Sequence, residues 1–130
     1  MRKVFIDAHT HTVASGHAYS SLQEMVQAAA DKGLQVLGIT EHGPSVPGTC
    51  PLLYFKNMFV VPRQMYGIRL LMGCEINILD TNGSLDLDEE YIDRLDPADG
   101  NRPRMRNVVY CCQTIQRLIG QTVSMLLLLS

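Results

Sequence analysis

Imidazole nitrogens and carboxylate oxygens are the donors that hold zinc, manganese or iron, and this 130-residue chain gathers both in a few short stretches. Asp7-Ala8-His9-Thr10-His11-Thr12 sets two histidines two residues apart. In extended backbone both point to one side, so His9 and His11 can meet one ion. His17 follows in Ser15-Gly16-His17-Ala18-Tyr19-Ser20, a loop of small residues. His42 lies in Thr40-Glu41-His42-Gly43-Pro44, and Glu75 in Gly73-Cys74-Glu75-Ile76-Asn77. Glu75 has two oxygens and can bridge two ions. Two ions about 3.5–4 Å apart clamp the attacking and leaving oxygens of a phosphate ester, and the water they bind is acidified to a pKa near 7. Glu75 and His42 are the catalytic candidates of this set.

Taken singly, each residue has an ordinary reading. A histidine after an apolar strand more often caps or packs, a strand-end acid is often only solvated, and an H-x-H pair arises by chance. The set carries more weight because all four histidines of the chain fall at or just after the end of an expected strand. Among lesser candidates, Asp7 could orient an imidazole or simply be solvated. Arg63 and Arg69 could meet a substrate phosphate or be surface arginines. Tyr19 and Ser20 could do no more than pack and cap. Cys74, beside Glu75, should point to the opposite side of its strand, into the core, where Met58, Met65 and Met72 serve as filler.

The elements that position these residues are legible. Lys3 to Ile6 reads as a buried first strand ending at Asp7. Ser21-Leu22-Gln23-Glu24 is a capping-box pattern, Leu22, Met25, Val26, Ala29 and Ala30 recur on one helical face, and Gly33 stops the helix. Leu34 to Thr40 is nearly continuous apolar sequence, as in a strand covered on both faces. Strand, helix and strand in this order make a βαβ unit with parallel strands and a right-handed crossover. Gly43 to Pro51 is a loop, Leu52 to Gln64 an apolar stretch of undecided type, and Ile68 to Leu79 a third strand. Asn82-Gly83 signals a type I′ hairpin into Ser84 to Leu87, and Asp88-Glu89-Glu90 opens a short helix through Leu95. Parallel strands of one barrel bring their C-terminal ends to one face, where the histidines and Glu75 should meet.

Composition bounds the rest. The net charge of −2 argues against blanket phosphate neutralisation on a nucleic acid, and a mean hydropathy of +0.03 is too apolar for disorder. Four cysteines without a C-x-x-C pair, and no visible export signal, point to reduced thiols in a cytoplasmic domain. The totals hide a division at Asp96: residues 1–96 carry 7 Lys and Arg against 12 Asp and Glu, whereas residues 97–130 carry 4 Arg against one acid. Pro97-Ala98-Asp99-Gly100-Asn101-Arg102-Pro103-Arg104 is a breaker run. No helical or alternating period follows it, and Met125 to Leu129 is too short to span a bilayer. The expectation is a site-bearing part at 1–96 and an atypical tail at 97–130, a frameshifted or truncated end.

The four motifs, in this order, resemble the PHP (polymerase and histidinol phosphatase) superfamily, specifically its small stand-alone phosphatase branch, over Arg2 to Asp96. The resemblance implies the N-terminal portion of a distorted seven-stranded β/α barrel, with a metal centre of up to three zinc or manganese ions. It implies that His9 and His11 bind a first ion, that Glu75 bridges it to a second, and that His17 and His42 hold a third. Glu41 stands where the family commonly has aspartate. The family draws further histidines and an Asp-x-His pair from later strands, and no histidine follows Asp96 here. The implied activity is hydrolysis of a small phosphorylated substrate by a metal-dependent phosphoesterase, without nucleic-acid or membrane partner and with fewer than three ions in this chain. The alternatives are a histidinol phosphatase and a degenerate metal-binding fragment without turnover. A polymerase-type exonuclease is disfavoured by the acidic body.

Overall fold

A computed structural model describes residues 5–95 and 108–111 as a mixed α/β unit built on one mostly parallel sheet. Strand β1 (Ile6–Thr10) is followed by a 3-10 turn (Val13–Ser15), helix α1 (Leu22–Asp31) and strand β2 (Val36–His42). Helix α2 (Leu52–Asn57) leads through a second 3-10 turn (Met58–Val60) to a two-residue strand, β3 (Gln64–Met65). Strand β4 (Ile68–Asn77), helix α3 (Glu89–Leu95) and strand β5 (Val108–Cys111) complete the order. In space the strands run β1-β2-β4-β3; β5 pairs in parallel with the end of β4, and β3 pairs antiparallel with its start.

The βαβ unit forms as the pattern predicts. Ser21 caps α1, its hydroxyl accepting from Glu24 N–H while the Glu24 carboxylate accepts from Ser21 N–H at 2.7 Å. β1 and β2 are parallel, and β2 lies beside β4 in unbroken parallel register from Val36–Arg69 to His42–Glu75. Their shared apolar face pairs Leu37 with Leu70 and Ile39 with Met72. It packs with Val26 and Ala29 of α1, Phe55 of α2, Met58, Leu87, and Ile92 and Leu95 of α3. Cys74 is fully buried in this core, as expected, and Met65 packs against its edge. Every buried side-chain nitrogen and oxygen among the described residues has a hydrogen-bond partner.

Four local expectations are corrected. Strand one runs over Ile6–Thr10, past the Ile6 at which it was expected to end, and its ladder partners are Val36 to Ile39. The two-residue turn with positive φ occurs at Tyr66-Gly67 (φ 50° and 79°), between β3 and β4, where no Asn-Gly signal stands. The tight Met65–Ile68 pairing forces Tyr66 into a left-handed conformation that costs a non-glycine residue about 1 kcal/mol. At Asn82-Gly83 only Gly83 is left-handed, and the Asp80 carboxylate instead closes a longer turn by accepting from the Asn82 and Ser84 N–H groups. Finally, Val108–Cys111 is a strand, although the sequence beyond Asp96 shows no strand period; its order comes from the β4 edge it pairs with. The breaker run at 97–104, the apolar end at 125–129 and residues 1–4 lie outside the described residues. Among the described residues no helix is long and apolar enough to cross a membrane.

Candidate metal centre

The site forms where β1, β2 and β4 end side by side. Side chains alternate along a strand, so the apolar face of β4 carries Leu70, Met72, Cys74 and Ile76 while Glu75 projects to the other face. His42 is its register partner on β2 and shares that side. β1 is brought close by Gly38: a Cβ there would run into the Ala8 backbone, and the Thr10 hydroxyl donates to the Gly38 carbonyl at 2.6 Å. A register shift between Asp7 and Thr10 accompanies this approach, and the Asp7 carboxylate accepts from the His9 N–H at 3.2 Å.

Three imidazoles converge on one atom. Glu75 Oε2 lies 3.3 Å from His9 Nε2, 3.0 Å from His11 Nε2 and 3.1 Å from His42 Nδ1. The two Nε2 atoms of His9 and His11 are 2.9 Å apart. His17 joins from the loop after β1, its ring centroid 5.0 Å from that of His11 and 4.7 Å from that of His42. Two donor groups result, His9-His11-Glu75 and His11-His17-His42, each with its ligand atoms within 4.8 Å of one another, and either could hold a metal ion. The donors fit one: imidazole nitrogen with carboxylate oxygen is the set for zinc or manganese, and nitrogens this close need a proton or a cation between them. Burial pushes the His42 pKa down against the opposing pull of Glu75, and the neighbouring histidines push it further down. His42 therefore keeps a free lone pair over more of the pH range.

One residue back on β2, Glu41 projects to the apolar face, fully buried. Its carboxylate accepts from the Thr12 hydroxyl at 2.5 Å, the Thr12 N–H at 3.1 Å, the Ser15 hydroxyl and the Tyr54 hydroxyl at 3.5 Å. Ser15 in turn faces His11 Nδ1 and the His42 N–H, both at 3.1 Å. The loop after His42 is tied to the end of β4 by Asp86, which accepts from Ser45 N–H and hydroxyl and from Asn77 N–H and Nδ2. Gly43 leaves the room: a Cβ there would strike that carboxylate.

All five residues singled out from the sequence, His9, His11, His17, His42 and Glu75, are thus brought together. The two arginines are not part of the cluster. The Arg63 guanidinium donates to the carbonyls of Met58, Val61 and Leu95, so it braces the chain around α3, and Arg69 pairs at the opposite end of β4. That is about 20 Å along the strand from Glu75. Tyr19 is 97% exposed. Thr12, Ser15 and Asp86 were missed: Thr12 and Ser15 stand inside the histidine motifs, but hydroxyls so common in loops give no signal of their own, and Asp86 lies far from the motifs in sequence.

Comparison with known proteins places the chain in a family. A profile described as "PHP domain" matches residues 7–123, beyond the Asp96 boundary. A "Probable phosphatase" of Caldicellulosiruptor saccharolyticus is 54% identical over 91 residues, 70% of this chain and 38% of that protein. A "Probable phosphatase" of Acetivibrio thermocellus is 50% identical over 94 residues, 72% of this chain and 39% of that protein. One of Clostridium botulinum is 50% identical over the same shares. The chain spans about two fifths of the length of these curated relatives.

Proposed function

Because the chain belongs to the PHP domain family, we propose that it forms the site-bearing part of a cytoplasmic, metal-dependent phosphoesterase acting on a small phosphorylated substrate, with zinc or manganese as its ions. The carrying observation is the convergence of His9, His11 and His42 on one oxygen of Glu75. In this reading His9, His11 and Glu75 would hold one ion, with the second Glu75 oxygen available to another, and His17 with His42 would hold a further one. Bound ions supply positive charge opposite the phosphoryl oxygens and lower the pKa of water.

The chain's own residues do the rest. Glu75, 5% exposed, sets the spacing of three imidazoles from one point. His42, kept neutral by burial, offers a lone pair near neutral pH. Among the described residues His9 and His17 are exposed, so that a phosphate group can approach the cluster. The net −5 of residues 1–96 suits a small substrate better than a polyanion. In this reading residues 1–96 carry the phosphoesterase motifs, and the relatives above match 91 to 94 residues.

The test is metal content and p-nitrophenyl phosphate hydrolysis by the full chain, with His9→Ala and Glu75→Ala as controls and histidinol phosphate as a second substrate. Expected are at most one or two ions per chain and slow hydrolysis that both variants abolish, since three ions need more ligands than these five. Binding without hydrolysis would mark a metal-binding part without turnover. Failure to bind either ion would overturn the reading.

A further inference from the structure

The Ser15 hydroxyl faces three partners: Glu41 Oε2, the His42 N–H and His11 Nδ1. A serine hydroxyl has one proton to donate and two positions at which to accept. The His42 N–H can only donate, so it fills one accepting position. Glu41 takes donors from Thr12 and Tyr54 as well, and as a carboxylate it only accepts, so the Ser15 proton goes to it. One accepting position remains, opposite His11 Nδ1. That nitrogen must then carry a hydrogen, which leaves the Nε2 of a neutral ring with a bare lone pair. The bare nitrogen points at Glu75 Oε2, 3.0 Å away, and at His9 Nε2, 2.9 Å away. A lone pair held against a carboxylate oxygen is unfavourable when nothing lies between them, and well placed for a cation.

We propose that Ser15, anchored by Glu41, is a positioning residue that holds His11 in its Nδ1–H tautomer and so turns the Nε2 lone pair into a cation site shared with His9 and Glu75. The proposal deepens the metal reading and rests on it for the ion, but the tautomer is a property of the metal-free chain. The local build leaves the hydroxyl little freedom. Thr12 caps the turn, its hydroxyl accepting from Ala14 N–H, and Gly16 closes it in a left-handed conformation against the Gly48 carbonyl. Ser15 is 4% exposed and Glu41 fully buried, so water is not at hand to replace either contact. An outer partner that fixes the tautomer of a metal-binding histidine commonly raises affinity about 10–100-fold.

The experiment is a long-range proton–nitrogen NMR correlation on the full, metal-free chain labelled with 15N-histidine, at pH about 9, where imidazoles are neutral. Zn2+ titration of the same samples accompanies it. The wild type should show His11 with its hydrogen on Nδ1. Ser15→Ala should shift the hydrogen towards Nε2 and weaken Zn2+ binding about 10–100-fold, and Ser15→Thr, which restores a hydroxyl, should recover both. A wild-type His11 carrying its hydrogen on Nε2 overturns the proposal outright, even if Ser15→Ala fails to fold. So does an unchanged tautomer in a folded Ser15→Ala. A wild type with Nδ1–H that takes up no Zn2+ overturns the metal reading alone and leaves the tautomer assignment supported.

Discussion

Glu41 and Glu75 are both buried acids at the C-terminal ends of neighbouring parallel strands, yet their surroundings differ in kind. Glu41 pairs in register with Cys74 and projects to the apolar face, where, among the described residues, hydroxyls and an N–H meet it. Glu75 pairs with His42 and projects to the other face, where three imidazoles meet it. Hydroxyl and amide donors satisfy the Glu41 carboxylate without any ion. Imidazoles crowded at 3 Å around one oxygen need a proton or a cation between them. The face of the sheet thus decides whether a buried glutamate meets hydroxyls or a cluster of imidazoles, and one step along the strand changes the face.

The largest effect that tests this contrast is on Glu75. Glu75→Gln should leave the chain folded, with an unchanged circular dichroism spectrum, and reduce Zn2+ or Mn2+ affinity by more than the roughly 100-fold that outer partners account for. Retained affinity would mean that Glu75 is no different in kind from Glu41. Glu41→Ala should act first on stability: urea unfolding should show a loss of about 2–4 kcal/mol, because the Thr12 and Ser15 donors lose their acceptor in a dry pocket. A stability unchanged within error would break the assignment of Glu41 as a brace.

Gly38→Ala should affect both regions at once. Its methyl would meet the Ala8 backbone, which cannot move aside as a side chain can, so β1 must shift and take His9 and His11 with it. A cost of about 2 kcal/mol is expected, together with weaker metal binding. Ser21→Ala, whose side chain bonds to Glu24 and to neither of the two glutamates, should cost only about 1 kcal/mol and leave metal binding untouched. The hydrogen bonds from Ser21 hold the Glu24 pKa below 4.5. A carboxylate depressed in the folded state adds stability above its unfolded pKa and loses it as the pH falls through the folded one. The gap between wild type and Ser21→Ala should therefore narrow as the pH drops below about 4.5, and a gap constant down to pH about 3 would show that Glu24 is not part of the cap.

Much of this was readable beforehand where the signal is local. The capping box Ser21-Leu22-Gln23-Glu24 named the start of α1 because all of its partners lie within four residues. His9, His11, His17, His42 and Glu75 were legible as a set because strand ends in a parallel sheet share one face. The β3–β4 turn was not legible: Tyr66 is left-handed because Met65 must pair with Ile68, a demand made by the ladder and not by tyrosine. Nor was β5, whose residues carry no alternating pattern and gain their order from the edge of β4. In the sequence Arg63 could be a phosphate ligand or a surface arginine, and only the neighbouring turns, closing round its guanidinium, gave it three carbonyls.

By itself, then, the sequence determined which residue types could make a metal centre and which elements would carry them, because periodicity and spacing act over short stretches of chain. The tertiary structure decided which nitrogens face which oxygen. It turned Glu41 away from Glu75, placed Ser15 between Glu41 and His11, and set Asp86 under Gly43. Those contacts join residues 26 to 43 positions apart in the chain or depend on single hydroxyl protons, and only packed strands and closed loops bring such groups within 3 Å.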